Sequence, residues 1–417
     1  MIRTLLALVL ITLWPALPAD AHLMPNTAIY LDFGDDRIEA EILVPVAELE
    51  FAAQKRINWH DPAVVRATAA SLAARFVVRG DDGRAWRVTL RDAGTADESW
   101  APDIRARLAL QPAPGGDPRR FTIAYDAVTD RLPNHFVLLF ARSDYRGGKL
   151  GGEPAMIGGL QGRGATARID RGAGSGWAGF RAAIALGMHH IAEGHDHLLF
   201  LIALILPAPL LVAGRRWGGY GGGRHLVRGL IAVITAFTIG HSITLIGGAF
   251  FGWRLASQPV EIGIALSILI SAVHAWRPIF AGREAVVAGG FGLVHGLAFA
   301  TLIGDYGLDR WQKAQSILGF NLGIEVVQLL VVAAVLPALI LLARTPAYPP
   351  IRSAGALFAG AAAIAWGVER IAGTANPVAG AIDAGLAQAP WLLAALTLGA
   401  VLIYGRYGKG RDPIAAP

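Results

Sequence analysis

Between residues 195 and 405 the chain runs through seven apolar stretches, at about 195–213, 227–250, 258–275, 285–303, 315–343, 352–372 and 388–405. A helix needs about 20 such residues to cross the hydrocarbon core of a bilayer, where every backbone polar group must be satisfied inside the segment. The pattern therefore predicts an α-helical polytopic membrane bundle of about seven spans. A hydrophobic content of 54% and a mean hydropathy of +0.47 place the chain in the same class. Residues 179–193 are too few, and too polar at their end, for a span of their own. They read as an interfacial helix or as an extension of the first span.

The first part of the chain is different. Residues 1–21 have the form of a signal peptide, with Arg3, an apolar run from Leu5 to Leu13, and Ala19-Asp20-Ala21 as the cleavage site. Cleavage there would make His22 the mature N-terminus, where an amine beside an imidazole can chelate copper; an ordinary polar residue is the simpler reading. From residue 22 to 163 no run approaches bilayer length. Short stretches rich in β-branched and aromatic residues alternate with turn signals such as Gly80-Asp81-Asp82-Gly83, which predicts a small all-β, antiparallel sandwich-like domain with a helical insertion around Asp61 to Ala73. Its strands fall at 27–33, 38–46, 74–79, 86–90, 104–110, 120–125 and 136–140. His60 and His135 lie in expected loops and read as surface histidines. No nucleophile–base pair stands out, so this domain is expected to bind a periplasmic protein partner or a ligand. Gly, Ala and Arg dominate 147–176, and residues 164–178 read as a linker. The helical domain then covers 179–405 and a short tail 406–417.

The net charge is +6, but the basic residues of the second half gather in short loops: Arg215, Arg216, Arg224 and Arg228, then Arg277 and Arg283, then Arg344 and Arg352, then Arg406, Lys409 and Arg411. With the sandwich outside, seven spans put all of these on the cytoplasmic side, as the positive-inside rule requires. The expectation is a multi-pass protein of a bacterial inner membrane, with a periplasmic N-terminal domain and a cytoplasmic C-terminus. This distribution argues for a lipid bilayer and against nucleic acid as the partner. There is no cysteine, so any metal has to be held by His, Asp, Glu, Asn or backbone.

Candidate ligands concentrate at the mouth of the first span. Met188-His189-His190-Ile191-Ala192-Glu193-Gly194-His195-Asp196-His197 carries four imidazoles and two carboxylates. On a helix, His190, Gly194 and His197 share one stripe while His189, Glu193 and Asp196 share its neighbour. Buried titratable groups are costly in a bilayer, at least about 2.5–3.5 kcal/mol each, so each calls for a partner or a function. His241 and His295 lie near mid-span, and Asn321, Glu325 and Gln328 form a stripe at i, i+4 and i+7. Ser267, Ser271 and His274 repeat that spacing. His189, His190, Glu193, Asp196, His197, His241, His295 and Glu325 form the candidate metal set, arranged at successive depths from outside to inside. Glu325 is either a ligand or the counter-charge to a protonated histidine. Ser242, Thr244, Ser267, Ser271 and Gln328 read as helix-packing glue, and Glu369-Arg370 as an interfacial ion pair or a snorkelling pair.

His190-x-x-x-Gly194-x-Asp196-His197 resembles the His-Pro-x-x-Gly-x-Asp-His motif of the HupE/UreJ family, with Ile191 in place of the proline. Phe237 to Leu245, Phe291 to Ala300 and Gly319 to Glu325 resemble further segments of the branch that carries an exported domain. The resemblance implies a membrane protein linked to hydrogenase or urease maturation, in some members to nickel uptake. The first functional expectation is accordingly transport of a divalent transition metal, nickel first and cobalt or copper next, with zinc also compatible with these donors. No Walker-type loop is present, so the chain carries no ATP-binding motif of its own. Two alternatives stand beside transport. One is a membrane metalloenzyme with Glu193 or Glu325 as general base; the other is an accessory or sensor protein whose exported domain binds a partner.

Overall fold

The computed structural model describes residues 26–96, 102–305 and 308–407. The expected signal peptide, His22 and the tail beyond residue 407 lie outside them.

The N-terminal region is a β-sandwich. Its strands are β1 (Thr27–Phe33), β2 (Ile38–Pro45), β3 (Phe76–Gly80), β4 (Arg87–Ala96), β5 (Asp103–Gln111), β6 (Arg120–Tyr125), β7 (Phe136–Asp144), β8 (Ala155–Gln161) and β9 (Thr166–Asp170). One sheet has the order β4-β5-β2-β1-β7-β8 and the other β3-β6-β9. Alternate residues point inward, and Ile29, Leu31, Ile42, Leu108 and Val137 of the large sheet share one core with Phe76, Phe121 and Ile123 of the small one. The sheets are antiparallel except for β1 and β7, which run parallel. Helix α1 (Val46–Ala53) follows β2, and α2 (Pro62–Ala74) supplies the expected helical insertion. Asp61 caps α2 by accepting from the Ala63 amide at 2.8 Å, with Pro62 in the first turn.

Two expectations change here. Residues 147–176 are not a linker, since β8 and β9 occupy much of that stretch and β9 lies inside the supposed 164–178 spacer. The glycines there serve tight turns: Gly162 and Gly164, between β8 and β9, have φ of 77° and 70°, a region that suits glycine. His135 is buried at 3% exposure rather than on a surface loop. Its Nε2 accepts from the Thr27 amide at 3.1 Å, and its Nδ1 lies 3.3 Å from Glu48. The imidazole thus ties the turn before β7 to the start of β1.

The helical region comprises α3 (Gly176–Glu193), α4 (His195–Ile205), a hairpin of β10 (Leu210–Ala213) and β11 (Arg216–Tyr220), then α5 (Gly223–Phe251), α6 (Ser257–Trp276), α7 (Glu284–Asp305), α8 (Arg310–Ala343), α9 (Tyr348–Ala372), α10 (Pro377–Leu386) and α11 (Ala389–Tyr407). Among the described residues, five helices are long and apolar enough to cross a membrane: α5, α6, α8, α9 and α11. The expected first span, 195–213, yields only the 11-residue α4. Pro207 and Pro209 end its apolar run, and the chain turns back as a hairpin. Residues 176–193 are no interfacial appendage, because α3 packs along α8 inside the bundle.

Two helix pairs approach closely, α5 with α7 and α3 with α8. Glycine makes both possible. A Cβ on Gly292 would run into the Phe237 carbonyl and one on Gly240 into that of Gly289, while a Cβ on Gly323 would strike the Ile184 carbonyl and one on Gly187 that of Phe320. Small residues that let helix backbones meet are the expected device in a bilayer. The sandwich sits on this bundle at the N-terminal ends of α3 and α8, where Tyr145 Oη donates to Gln315 Oε1 at 2.9 Å.

Candidate metal centre

His190 closes α3, His197 opens α4, His241 lies on α5 and His295 on α7, and the two glycine-lined contacts draw these helices together at one depth. The His190 and His197 rings are 4.7 Å apart and those of His197 and His295 are 4.9 Å apart. His241 lies between Phe237 and Phe320, near-parallel to both; Phe237 also packs on His295 and Phe320 on His190. Phe200, Phe237, Phe299 and Phe320 wall the cluster. The successive depths expected from the sequence are thus one four-histidine cluster, with His274 at a separate place.

Hydrogen bonds fix which nitrogen carries the proton on two of these rings. His197 Nδ1 lies 2.8 Å from Asp196 Oδ1. A carboxylate only accepts, so Nδ1 is the protonated nitrogen and Nε2 is left bare. On His295 the order is reversed. Ser267 gives its hydroxyl proton to the Ile264 carbonyl at 2.7 Å, and its oxygen lies 2.9 Å from His295 Nε2. Nε2–H is therefore the donor and Nδ1 is bare.

Five ring nitrogens of the cluster find no protein partner. His190 Nε2, His197 Nε2, His295 Nδ1 and both nitrogens of His241 are buried without a hydrogen bond. An unsatisfied buried polar atom costs about 1–3 kcal/mol, so five in one small volume, walled by phenylalanine, amount to a strong demand for a ligand. Neutral imidazole suits nickel, cobalt, copper or zinc, and a carboxylate behind a ligating histidine is the usual way such a ring is oriented. By donor type alone these residues suit a transition metal. Among the described residues no group of three or more His, Asp or Glu side chains is placed so that it could hold a metal ion; the rings stand at ring-packing distances.

Residues 166–370 match the model of a family described as HupE / UreJ protein. The helical part of this chain belongs to the HupE/UreJ family. The match begins at the first residue of β9 and ends at Arg370, leaving the rest of the sandwich outside it. No curated protein and no solved structure matches the chain. The chain is thus a membrane protein with a HupE/UreJ domain, from an accessory or transport-type family related to metals.

Within the HupE/UreJ domain the eight candidate residues separate into groups. His190, His197, His241 and His295 converge, and Asp196 stands behind His197 as its orienting group. His189 and Glu193 do not join them: both side chains are largely exposed, 3.7 Å apart on one face of α3. Glu193 instead lines a polar cavity of about 260 Å³ with His195, Asp196, Glu369, Arg370 and Asp383. Glu325 lines a separate groove between α5 and α8 with Thr238, Ser242 and Asn321.

Sequence reading missed two supporting residues. Ser267, read as packing glue, holds His295. Arg370, read as an interfacial ion pair or snorkelling pair with Glu369, reaches Asp196 at 3.4 Å and Glu261 at 3.7 Å. The serine stripe on α6 pointed toward the first; nothing local pointed to the second, which depends on α9 packing across α4 and α6.

Proposed function

We propose that this chain binds a divalent transition metal ion at His190, His197, His241 and His295 and passes it across the membrane, with nickel the first candidate and cobalt or copper next. The cluster of five unpartnered imidazole nitrogens in an otherwise apolar setting carries this reading. The polar cavity of Glu193, Asp196, Glu369 and Asp383 is the mouth: its carboxylates attract a hydrated cation, and Asp196 links it to His197. A carboxylate mouth leading to a single imidazole cluster gives the ion a place to enter and a place to bind, and moderate rather than tight binding there lets it leave. With the sandwich outside, as the loop arginines favour, the mouth faces the periplasm. The membrane potential, a proton gradient or trapping inside would then drive the ion. Candidate bases for the metalloenzyme alternative, Glu193 and Glu325, both stand outside the imidazole cluster, which favours transport.

Uptake of radioactive nickel and cobalt by cells producing the wild type or His197→Ala tests this. The wild type should accumulate metal above the variant at equal protein level. Equal accumulation would remove transport through this cluster.

A further inference from the structure

At the end of the bundle opposite the sandwich, a cavity of about 620 Å³ opens among the end of α4, the β10–β11 hairpin, the first turns of α5, the end of α6 and the start of α7. Leu204, Leu230 and Val233 form its apolar wall. Arg224 and Arg228, one helical turn apart on α5, form its lip with His225. Neither arginine has an ion-pair or hydrogen-bond partner among the described residues. The N-cap of helix α5, Gly222, has no side chain to cap it, leaving the first amides of the helix toward the same end.

His274 decides the ligand's sign. Its ring is buried at 1% exposure, stacked on Phe280 with centroids 3.7 Å apart. Nδ1 accepts from the backbone amides of Ile279 and Phe280, at 3.2 and 3.4 Å. The proton is therefore on Nε2, which makes no hydrogen bond and has Glu284 Oε1 at 3.7 Å; both residues line the cavity. A metal ion would need a bare nitrogen here, and the bare one is already taken. A buried donor, two unpaired arginines and uncapped helix amides call for an oxyanion. Glu284, with Oε1 3.7 Å from His274 Nε2 and accepting from the Gly282 amide at 3.0 Å, is the opposing charge.

We propose that this cavity binds a phosphate-bearing anion, the headgroup of an anionic phospholipid whose chain lies along the apolar wall. Basic pockets between membrane helices are established places for such headgroups.

Binding to the detergent-purified full chain, followed by native mass spectrometry and thermal unfolding, tests the proposal with phosphatidylglycerol, phosphatidylcholine and inorganic phosphate as probes. Phosphatidylglycerol should bind saturably and more tightly than phosphatidylcholine. Each of Arg224→Ala and Arg228→Ala should weaken it by about fivefold, Glu284→Gln should tighten it, and Arg215→Ala, at the same end but outside the cavity, should leave it unchanged. Inorganic phosphate competing for the same arginines would support recognition of the phosphate itself; phosphatidylglycerol binding without such competition would support the whole lipid. Equal binding of the two lipids, equal loss in Arg215→Ala, or weaker binding by Glu284→Gln would overturn the proposal. His274→Gln, which keeps an amide donor, should bind better than His274→Phe; the reverse order would also overturn it.

Discussion

Asp196 Oδ1 lies 2.8 Å from the backbone nitrogen of His197 and 2.8 Å from Nδ1 of the same residue. One carboxylate oxygen thereby fixes both the start of α4 and the imidazole tautomer, and leaves Nε2 bare toward His190 and His295. Gly194 belongs to this arrangement, because a Cβ there would come within 2.8 Å of both His197 Nδ1 and the His190 carbonyl. The break between α3 and α4 is what presents His197 to the cluster.

Asp196→Asn keeps the shape but adds an amide that can donate, so His197 is no longer held with Nε2 bare. Loss of such an orienting group typically costs about 10–100-fold in metal affinity. Isothermal titration with nickel should show a decrease of that order while thermal stability without metal changes little.

His295 depends on Ser267 in the same way, through an uncharged partner. Ser267→Ala should weaken nickel binding, by less than Asp196→Asn, because a neutral hydrogen bond holds a ring less firmly than a charged one. Equal affinity of Ser267→Ala and wild type, measured by competition with a coloured chelator, would detach Ser267 from the site.

The glycine contacts make a positional prediction. Gly292→Ala puts a methyl group against the Phe237 carbonyl, whereas Gly290→Ala meets nothing within 4 Å. Thermal unfolding in detergent should show Gly292→Ala destabilised by about 1–3 kcal/mol and Gly290→Ala unchanged or slightly stabilised, since alanine favours the helix by up to about 1 kcal/mol. Because Gly292 seats α7 against α5, its variant should also lose metal affinity.

In the sandwich, Asp144 is fully buried. Arg119 donates to both its oxygens, at 2.7 and 3.1 Å, and Arg171 to one of them at 2.9 Å. Burial pushes this carboxyl up, but the hydrogen bonds from Arg119 and Arg171 outweigh it and hold the group below the ordinary aspartate range. A depressed native value means the unfolded chain binds the proton first, so the stabilisation is full above about pH 3.9 and is lost as pH falls below it. Acid unfolding monitored by circular dichroism should therefore shift to higher pH in Asp144→Asn. That variant, leaving buried arginine unpaired, should also lose about 3–5 kcal/mol near neutral pH.

How much of this was legible in the sequence follows from what each feature depends on. Strand periodicity is local, so it predicts β1 and β6 to the residue, and the expected helical insertion around Asp61 to Ala73 falls on α2. Glycine-rich composition misled at β8 and β9, where glycine serves turns rather than flexibility. The apolar run after His195 looked like a span because hydropathy does not register that Pro207 and Pro209 divide it. His190, Asp196 and His197 stood out as a motif, while the convergence of His241 and His295 on them depends on helix pairs whose contact only the fold reveals. His189, Glu193 and Glu325 enter the candidate set by residue type and helical spacing, and neither says which way a helix face turns in the bundle.

Metal K-edge X-ray absorption on the nickel-loaded, detergent-purified protein tests the central assignment most directly. Wild type should bind nickel stoichiometrically with several imidazole nitrogens in its inner shell, and His197→Ala and His295→Ala should each lose imidazole scattering, whereas His189→Ala should not. An inner shell of oxygen alone, or an imidazole count unchanged in both cluster variants, would contradict it.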